Sequence, residues 1–152
     1  MTLEIGAPAP AFTLKDQFGQ EVKLSDFAGE KNVVLVFVPF AFTGICTGEL
    51  CEMRDNLGAF EAADVQVIAV SCDPTPSQRV WAEKEGYTFP VLSDFWPHGA
   101  VAQAYGVFKE DTGFALRGSF LIDTKGVLRW SVVNQPGQAR PLVAYQEAIA
   151  AL

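Results

Sequence analysis

Hydrophobic positions along this chain change their period several times, and each change marks an element. Val33-Val34-Leu35-Val36-Phe37-Val38 is an unbroken apolar run, the pattern of a buried strand. From Gly44 to about Asp64 the period lengthens. Cys46, Leu50, Met53, Leu57 and Phe60 recur at steps of four and three, which is one stripe of a helix. Val65–Ser71 returns to a strand pattern. Pro76–Gly86 reads as a second helix with Val80 and Trp81 as core contacts, and Gly99–Tyr105 as a short third. Phe114–Asp123 and Val127–Val133 are two strands around a Thr124-Lys125-Gly126 turn, and Pro141–Leu152 closes the chain as an amphipathic helix. At the other end, Phe12-Thr13-Leu14 and Glu21-Val22-Lys23-Leu24 flank Asp16-Gln17-Phe18-Gly19 as an N-terminal hairpin.

This alternation predicts a single α/β domain over residues 1–152, a central mixed sheet flanked by helices with the hairpin as an extension. Strand, helix and parallel strand joined right-handedly bring the helix start to the carboxyl edge of the sheet, where open α/β folds place ligands. Cys46 falls there. It sits in the first turn of its helix, among unpaired amide N–H groups and at the positive end of the helix dipole, and both favour thiolate over thiol. Its place on the apolar stripe turns the sulfur inward, shielded from casual oxidants.

Composition narrows the alternatives. The chain has 152 residues, a net charge of −7 and no basic stripe, which argues against nucleic acid or an anionic membrane as partner. The first residues lack a signal-peptide pattern, and the apolar run at Val33–Phe42 is too short to span a bilayer. Three cysteines, an odd number, suit a reducing compartment, so a cytoplasmic protein is expected. Three scattered cysteines and one histidine show no metal-ligand spacing, and no phosphate-binding loop is present, so neither metal nor cofactor is expected.

Pro39-x-x-x-Thr43-x-x-Cys46, with Glu49 three residues on, resembles the active-site signature of peroxiredoxins. The resemblance extends through Gly6–Leu14, Phe89–Asp94 and Arg117–Asp123. Ser93–Gly99 and Tyr105-Gly106-Val107 look like the alkyl hydroperoxide reductase E group of actinobacteria. It implies a thioredoxin-like fold and a thiol-specific peroxidase acting on hydrogen peroxide, organic hydroperoxides or peroxynitrite, with Cys46 as the peroxidatic nucleophile. Such chemistry needs donors aimed at the leaving oxygen. Thr43 offers a hydroxyl to thiolate and peroxide, or caps the helix, or both; the N–H groups of Ile45 and Cys46 add donors. Pro39 either shields the sulfur or only ends the strand. Arg117 matches the arginine that peroxiredoxins bring to the sulfur, where its charge would favour the thiolate. Glu49 either orients an arginine or is an ordinary first-turn carboxylate. In this family an aromatic residue near Trp96 often lines the pocket, which makes Trp96 a candidate reporter of oxidation. His98 reads as a local capping or packing residue.

Attack on peroxide leaves a sulfenic acid that another thiol must resolve. Cys51 either resolves Cys46 or is a semi-exposed bystander: it stands at the spacing where the Q-type, or bacterioferritin-comigratory, peroxiredoxins carry their resolving cysteine, whereas the alkyl hydroperoxide reductase E type generally uses an external thiol. On an intact helix five residues place the two Cα atoms about 9 Å apart. A disulfide needs them within about 7 Å, so the helix must first unwind. Cys72 reads as structural. The resemblance implies a homodimer, and thioredoxin or mycothiol with mycoredoxin as reductant. Two rival functions remain: thioredoxin-like disulfide exchange, which normally needs C-x-x-C where this chain has Cys46-Thr47-Gly48-Glu49, and a non-enzymatic holdase or interaction protein.

Overall fold

The computed structural model describes residues 3–152. Seven strands form one mixed sheet: β1 (Thr13–Lys15), β2 (Glu21–Lys23), β3 (Asn32–Phe37), β4 (Val65–Ser71), β5 (Val91–Ser93), β8 (Arg117–Ile122) and β9 (Leu128–Asn134), in the spatial order β2-β1-β5-β4-β3-β8-β9. β3, β4 and β5 run parallel, and β1 and β8 join them antiparallel. β3 lies inside the sheet, between β4 and β8, and both its faces are covered. Val34, Val36 and Val38 enter the core shared with Leu50, Met53, Phe60 and Trp81, and Val33, Leu35 and Phe37 enter the opposite one with Tyr105, Phe120 and Ile122. Burial on two sides is why this strand reads as continuous apolar sequence.

The expected helix from Gly44 to Asp64 is two helices, α1 (Gly44–Asp55) and α2 (Leu57–Ala62). Asn56 breaks it. Its backbone leaves the helical region, at φ −115° and ψ 17°, while its Nδ2 turns back to donate to the Glu52 carbonyl at 2.8 Å. The apolar stripe continues across the break, with Cys46, Leu50, Met53 and Phe60 all buried.

Two more expectations are corrected, and one strand is added. In α3 (Thr75–Glu85), Trp81 is fully buried but Val80 is 58% exposed, because adjacent helical residues point about 100° apart. The Phe114–Asp123 strand divides at Leu116. Its first part, β7 (Phe114–Ala115), pairs instead with β6 (Phe108–Lys109) in a separate small hairpin beside the sheet. β5 is a sheet strand that the periodicity left unassigned, since three residues are too few to show a period. The helices α4 (Ala100–Ala104) and α5 (Leu142–Ala150) lie within their expected spans. Among the described residues, no helix is long and apolar enough to cross a membrane.

Candidate active site

α1 opens beyond the carboxyl end of β3. Cys46 stands in its first turn with no solvent exposure, packed against Leu50 and the inner face of the sheet. β8 runs antiparallel beside β3, so its first residue arrives at the same edge. That residue is Arg117, whose Nη1 donates to Cys46 Sγ at 3.3 Å and to Glu49 Oε1 at 2.6 Å, while its Nε donates to the Pro136 carbonyl at 2.7 Å. A guanidinium gripped on two sides cannot swing away, and it delivers a permanent positive charge to the sulfur.

Glu49 is shared with a residue the sequence reading missed. Arg140, fully buried, donates to Glu49 Oε2 through its backbone N–H and Nε, at 2.6 and 2.9 Å, and to Oε1 through Nη2 at 2.8 Å. Its Nη1 reaches the carbonyls of Phe37 and Gly118 and the Ser119 hydroxyl, bolting β3, β8 and the segment before α5 together. The only signal in the sequence was negative. Between Arg129 and Glu147, Arg140 is the one charged residue in an otherwise neutral stretch. Burial pushes the Glu49 carboxyl up, but the hydrogen bonds and charge of Arg140 and the charge of Arg117 outweigh that and hold it below the ordinary range.

A cavity of about 300 Å³ opens above Arg117, lined by Pro39, Phe40, Thr43, Ile45, Phe114 and Pro136 among others. The small β6–β7 hairpin supplies Phe114, whose ring packs on Phe40 at 4.9 Å. Pro39 is buried in the cavity wall. Thr43 stands at the N-cap of α1 by its backbone, yet its hydroxyl neither caps the helix nor reaches the sulfur. It donates to the Phe40 carbonyl at 2.9 Å, because Phe42 takes a left-handed φ of 66° and folds that carbonyl back towards it.

The sequence profile of the AhpC/TSA family matches residues 5–131. Alkyl hydroperoxide reductase E of Mycobacterium tuberculosis is 53% identical over 150 residues, covering 99% of this chain and 98% of that protein. Peroxiredoxin-2 of Rattus norvegicus is 41% identical over 140 residues, covering 86% of this chain and 69% of that one. The chain belongs to the peroxiredoxins. In three dimensions it resembles the reduced 2-Cys peroxiredoxin of Plasmodium vivax, with a TM-score of 0.89 at 27% identity over 98% of this chain and 81% of that one. The thioredoxin-like fold of the family is therefore this chain's fold, and thiol-dependent peroxide reduction is its class of reaction.

The other cysteines of this peroxiredoxin lie apart from the cavity. Cys51, half-buried on α1, faces the end of α3, with Sγ 3.5 Å from the Tyr87 hydroxyl and 3.6 Å from Glu85 Oε2. Cys72, at the end of β4, is buried, and burial together with the charges of Asp94 and Asp73 pushes its thiol up to about 12. Trp96 is 79% exposed and borders a different groove, beside Thr13, Lys15 and Pro74. The indole that touches α1 is Trp81, whose Nε1 donates to Thr47 Oγ1 at 3.1 Å. His98 ties the loop before α4 to the β6–β7 hairpin, its ring nitrogens facing the carbonyls of Phe95 and Gly113 at 3.0 and 2.7 Å.

Proposed function

We propose that Cys46 is the peroxidatic nucleophile and that Arg117, Glu49, Thr43 and Pro39 form its site. One observation carries the reading: a buried sulfur 3.3 Å from the guanidinium of Arg117, which itself lines a cavity large enough for a hydroperoxide. The thiolate attacks one peroxide oxygen, the O–O bond breaks, and the second oxygen leaves as an alcohol or as water after taking a proton, or within nitrite when the substrate is peroxynitrite. The sulfur is left as a sulfenic acid. Arg117 stabilises both the attacking thiolate and the charge appearing on the leaving oxygen. Glu49, itself fixed by Arg140, holds Arg117 in place. Hydrogen peroxide, organic hydroperoxides and peroxynitrite all present the required bond.

Resolution takes one further thiol, which displaces water from the sulfenic acid to give a disulfide. With α1 folded as it stands, Cys51 points to Glu85 and Tyr87 rather than to the cavity, so an external thiol has the open route. Thioredoxin or mycothiol with mycoredoxin fits that role. Cys51 takes over only where α1 unwinds. Disulfide exchange of the thioredoxin kind is disfavoured, because the residue three after Cys46 is Glu49, locked between two arginines. We further read the protein as a cytoplasmic homodimer: its three cysteines are unpaired, and Phe40, Phe42 and Ile45 expose apolar surface beside the mouth.

The deciding experiment is single-turnover reaction with hydrogen peroxide, read by intact mass. The wild type loses its reduced mass within the first equivalent, by gain of one oxygen or loss of two hydrogens. Cys46→Ser stays unchanged. A Cys46→Ser protein that still consumes peroxide sinks the assignment.

A further inference from the structure

The loop Pro39–Thr43 connects β3 to α1 and carries three of the cavity's walls, Pro39, Phe40 and Thr43. Its backbone makes few attachments. Apart from the start of α1 itself, its one hydrogen bond to another element, among the described residues, runs from the Ala41 N–H to Asp73 Oδ2 at 2.8 Å. The next residue, Phe42, is held at a φ of 66°, a conformation disfavoured for an aromatic side chain. A loop in such a conformation stays there only if something fixes it.

The acceptor is itself firmly built. Asp73 Oδ2 also accepts from the Ser71 hydroxyl at 2.6 Å, and the Asp73 carbonyl accepts from the Ser93 hydroxyl at 2.7 Å. Ser71 Oγ in turn accepts from Gln78 Nε2 at 2.9 Å, which also donates to the Leu92 carbonyl at 2.8 Å. Asp73 is thus braced at its carboxylate by Ser71 and at its main-chain carbonyl by Ser93 of β5, with Gln78 of α3 fixing Ser71. Among the described residues Asp73 is not in the cavity lining and makes no hydrogen bond to Cys46.

We propose that Asp73 is a positioning residue for peroxide reduction: by holding the Ala41 amide it sets where Phe40 and Thr43 stand in the cavity wall beside Arg117. This rests on Cys46 being the peroxidatic thiol. The Thr43 hydroxyl and Phe40 carbonyl form one unit at 2.9 Å, so displacing Ala41 moves both. A shift of that kind leaves Arg117, held separately by the Pro136 carbonyl and Glu49, beside the sulfur. It therefore costs alignment of the peroxide rather than reactivity of the thiol.

The test compares two rates at Cys46 in wild type, Asp73→Ala and Asp73→Asn. One is reaction with hydrogen peroxide; the other is alkylation by iodoacetamide, which reads thiol reactivity without needing peroxide alignment. Asp73→Ala should lose about ten- to a hundredfold in the peroxide rate, the scale of a small misplacement of reacting groups. Its alkylation rate should stay close to wild type. Asp73→Asn keeps an oxygen for Ala41 and Ser71 and should recover most of the peroxide rate. An unchanged peroxide rate in Asp73→Ala, an equal fall in both rates, or an Asn variant as slow as Ala each overturns the proposal. Native-state hydrogen exchange of the wild type guards against a variant that does not fold. The Ala41 amide should be protected well beyond its neighbours in the loop, and free exchange there overturns the proposal as well. Failure of the underlying reading looks different: wild type and Cys46→Ser would then reduce peroxide alike.

Discussion

Glu49 and Arg140, 91 positions apart in the chain, meet through three hydrogen bonds, two to Oε2 and one to Oε1. Together with Arg117 they form a buried row in which one carboxylate faces two guanidinium groups. Arg117 alone touches the sulfur. Arg140 acts at one remove, by fixing the carboxylate that fixes Arg117.

Glu49→Gln leaves two buried cations without a counter-charge. Breaking a buried pair in this way should destabilise the protein by about 3–5 kcal/mol. The midpoint of urea unfolding checks it. A midpoint equal to wild type would mean that the row is unnecessary for stability.

Acid should weaken the same row. The Glu49 carboxyl lies below its ordinary value of 4.5 in the folded protein, so the folded state binds its proton less readily than the unfolded chain does. The stability this contributes is complete above 4.5 and is lost as pH falls through the lower folded value. Unfolding followed between neutral and acid pH should show the loss in wild type and a smaller one in Glu49→Gln.

Replacing Arg117 with glutamine removes the charge beside the sulfur. Loss of one such donor typically costs about 100- to 1,000-fold in rate. Stopped-flow reaction with hydrogen peroxide measures it directly. A fall of less than threefold would assign the guanidinium a purely structural part.

Cys72 should stay unreactive. Its thiol is pushed up to about 12 by burial first and then by Asp94 and Asp73, so it remains protonated at pH 8. Peptide mapping after native alkylation at that pH should find Cys46 modified and Cys72 untouched. Because the folded value lies above the unfolded one, the stability this group contributes is present at neutral pH and fades as pH rises from about 9 towards 12.

If Cys51 resolves Cys46, α1 must unwind across Thr47, whose side chain and carbonyl are held by Trp81 Nε1 and the Tyr87 hydroxyl, both at 3.1 Å. Disulfide formation should therefore change the fluorescence of Trp81, and Cys51→Ser should stop at the sulfenic acid with that change absent. A Trp81→Phe variant with an undiminished signal would place the reporter elsewhere, with exposed Trp96 first in line.

Much of this was written in short-range pattern. An apolar run announces a strand covered on both sides, and steps of three and four announce a helix with Cys46 on its buried face, because local geometry alone decides those periods. From them followed the α/β order, the placing of Cys46 at a helix start and, with Pro39 and Thr43, the resemblance to peroxiredoxins. What pattern could not carry were choices between local options and contacts across distance. Asn56 could have continued the helix, but its side chain found the Glu52 carbonyl. Phe114 could have extended β8, but it paired with Lys109. Thr43 could have turned its hydroxyl to the helix or the sulfur, but the loop set it on Phe40. Arg140 showed no period at all, since a buried charge is placed by its partners and not by its neighbours. Sequence alone determined the candidates for the chemistry and put Cys46 on the buried face of its helix. Only the folded chain decided which of them meet, because an ion pair in a dry interior exists only where packing has already brought both charges together.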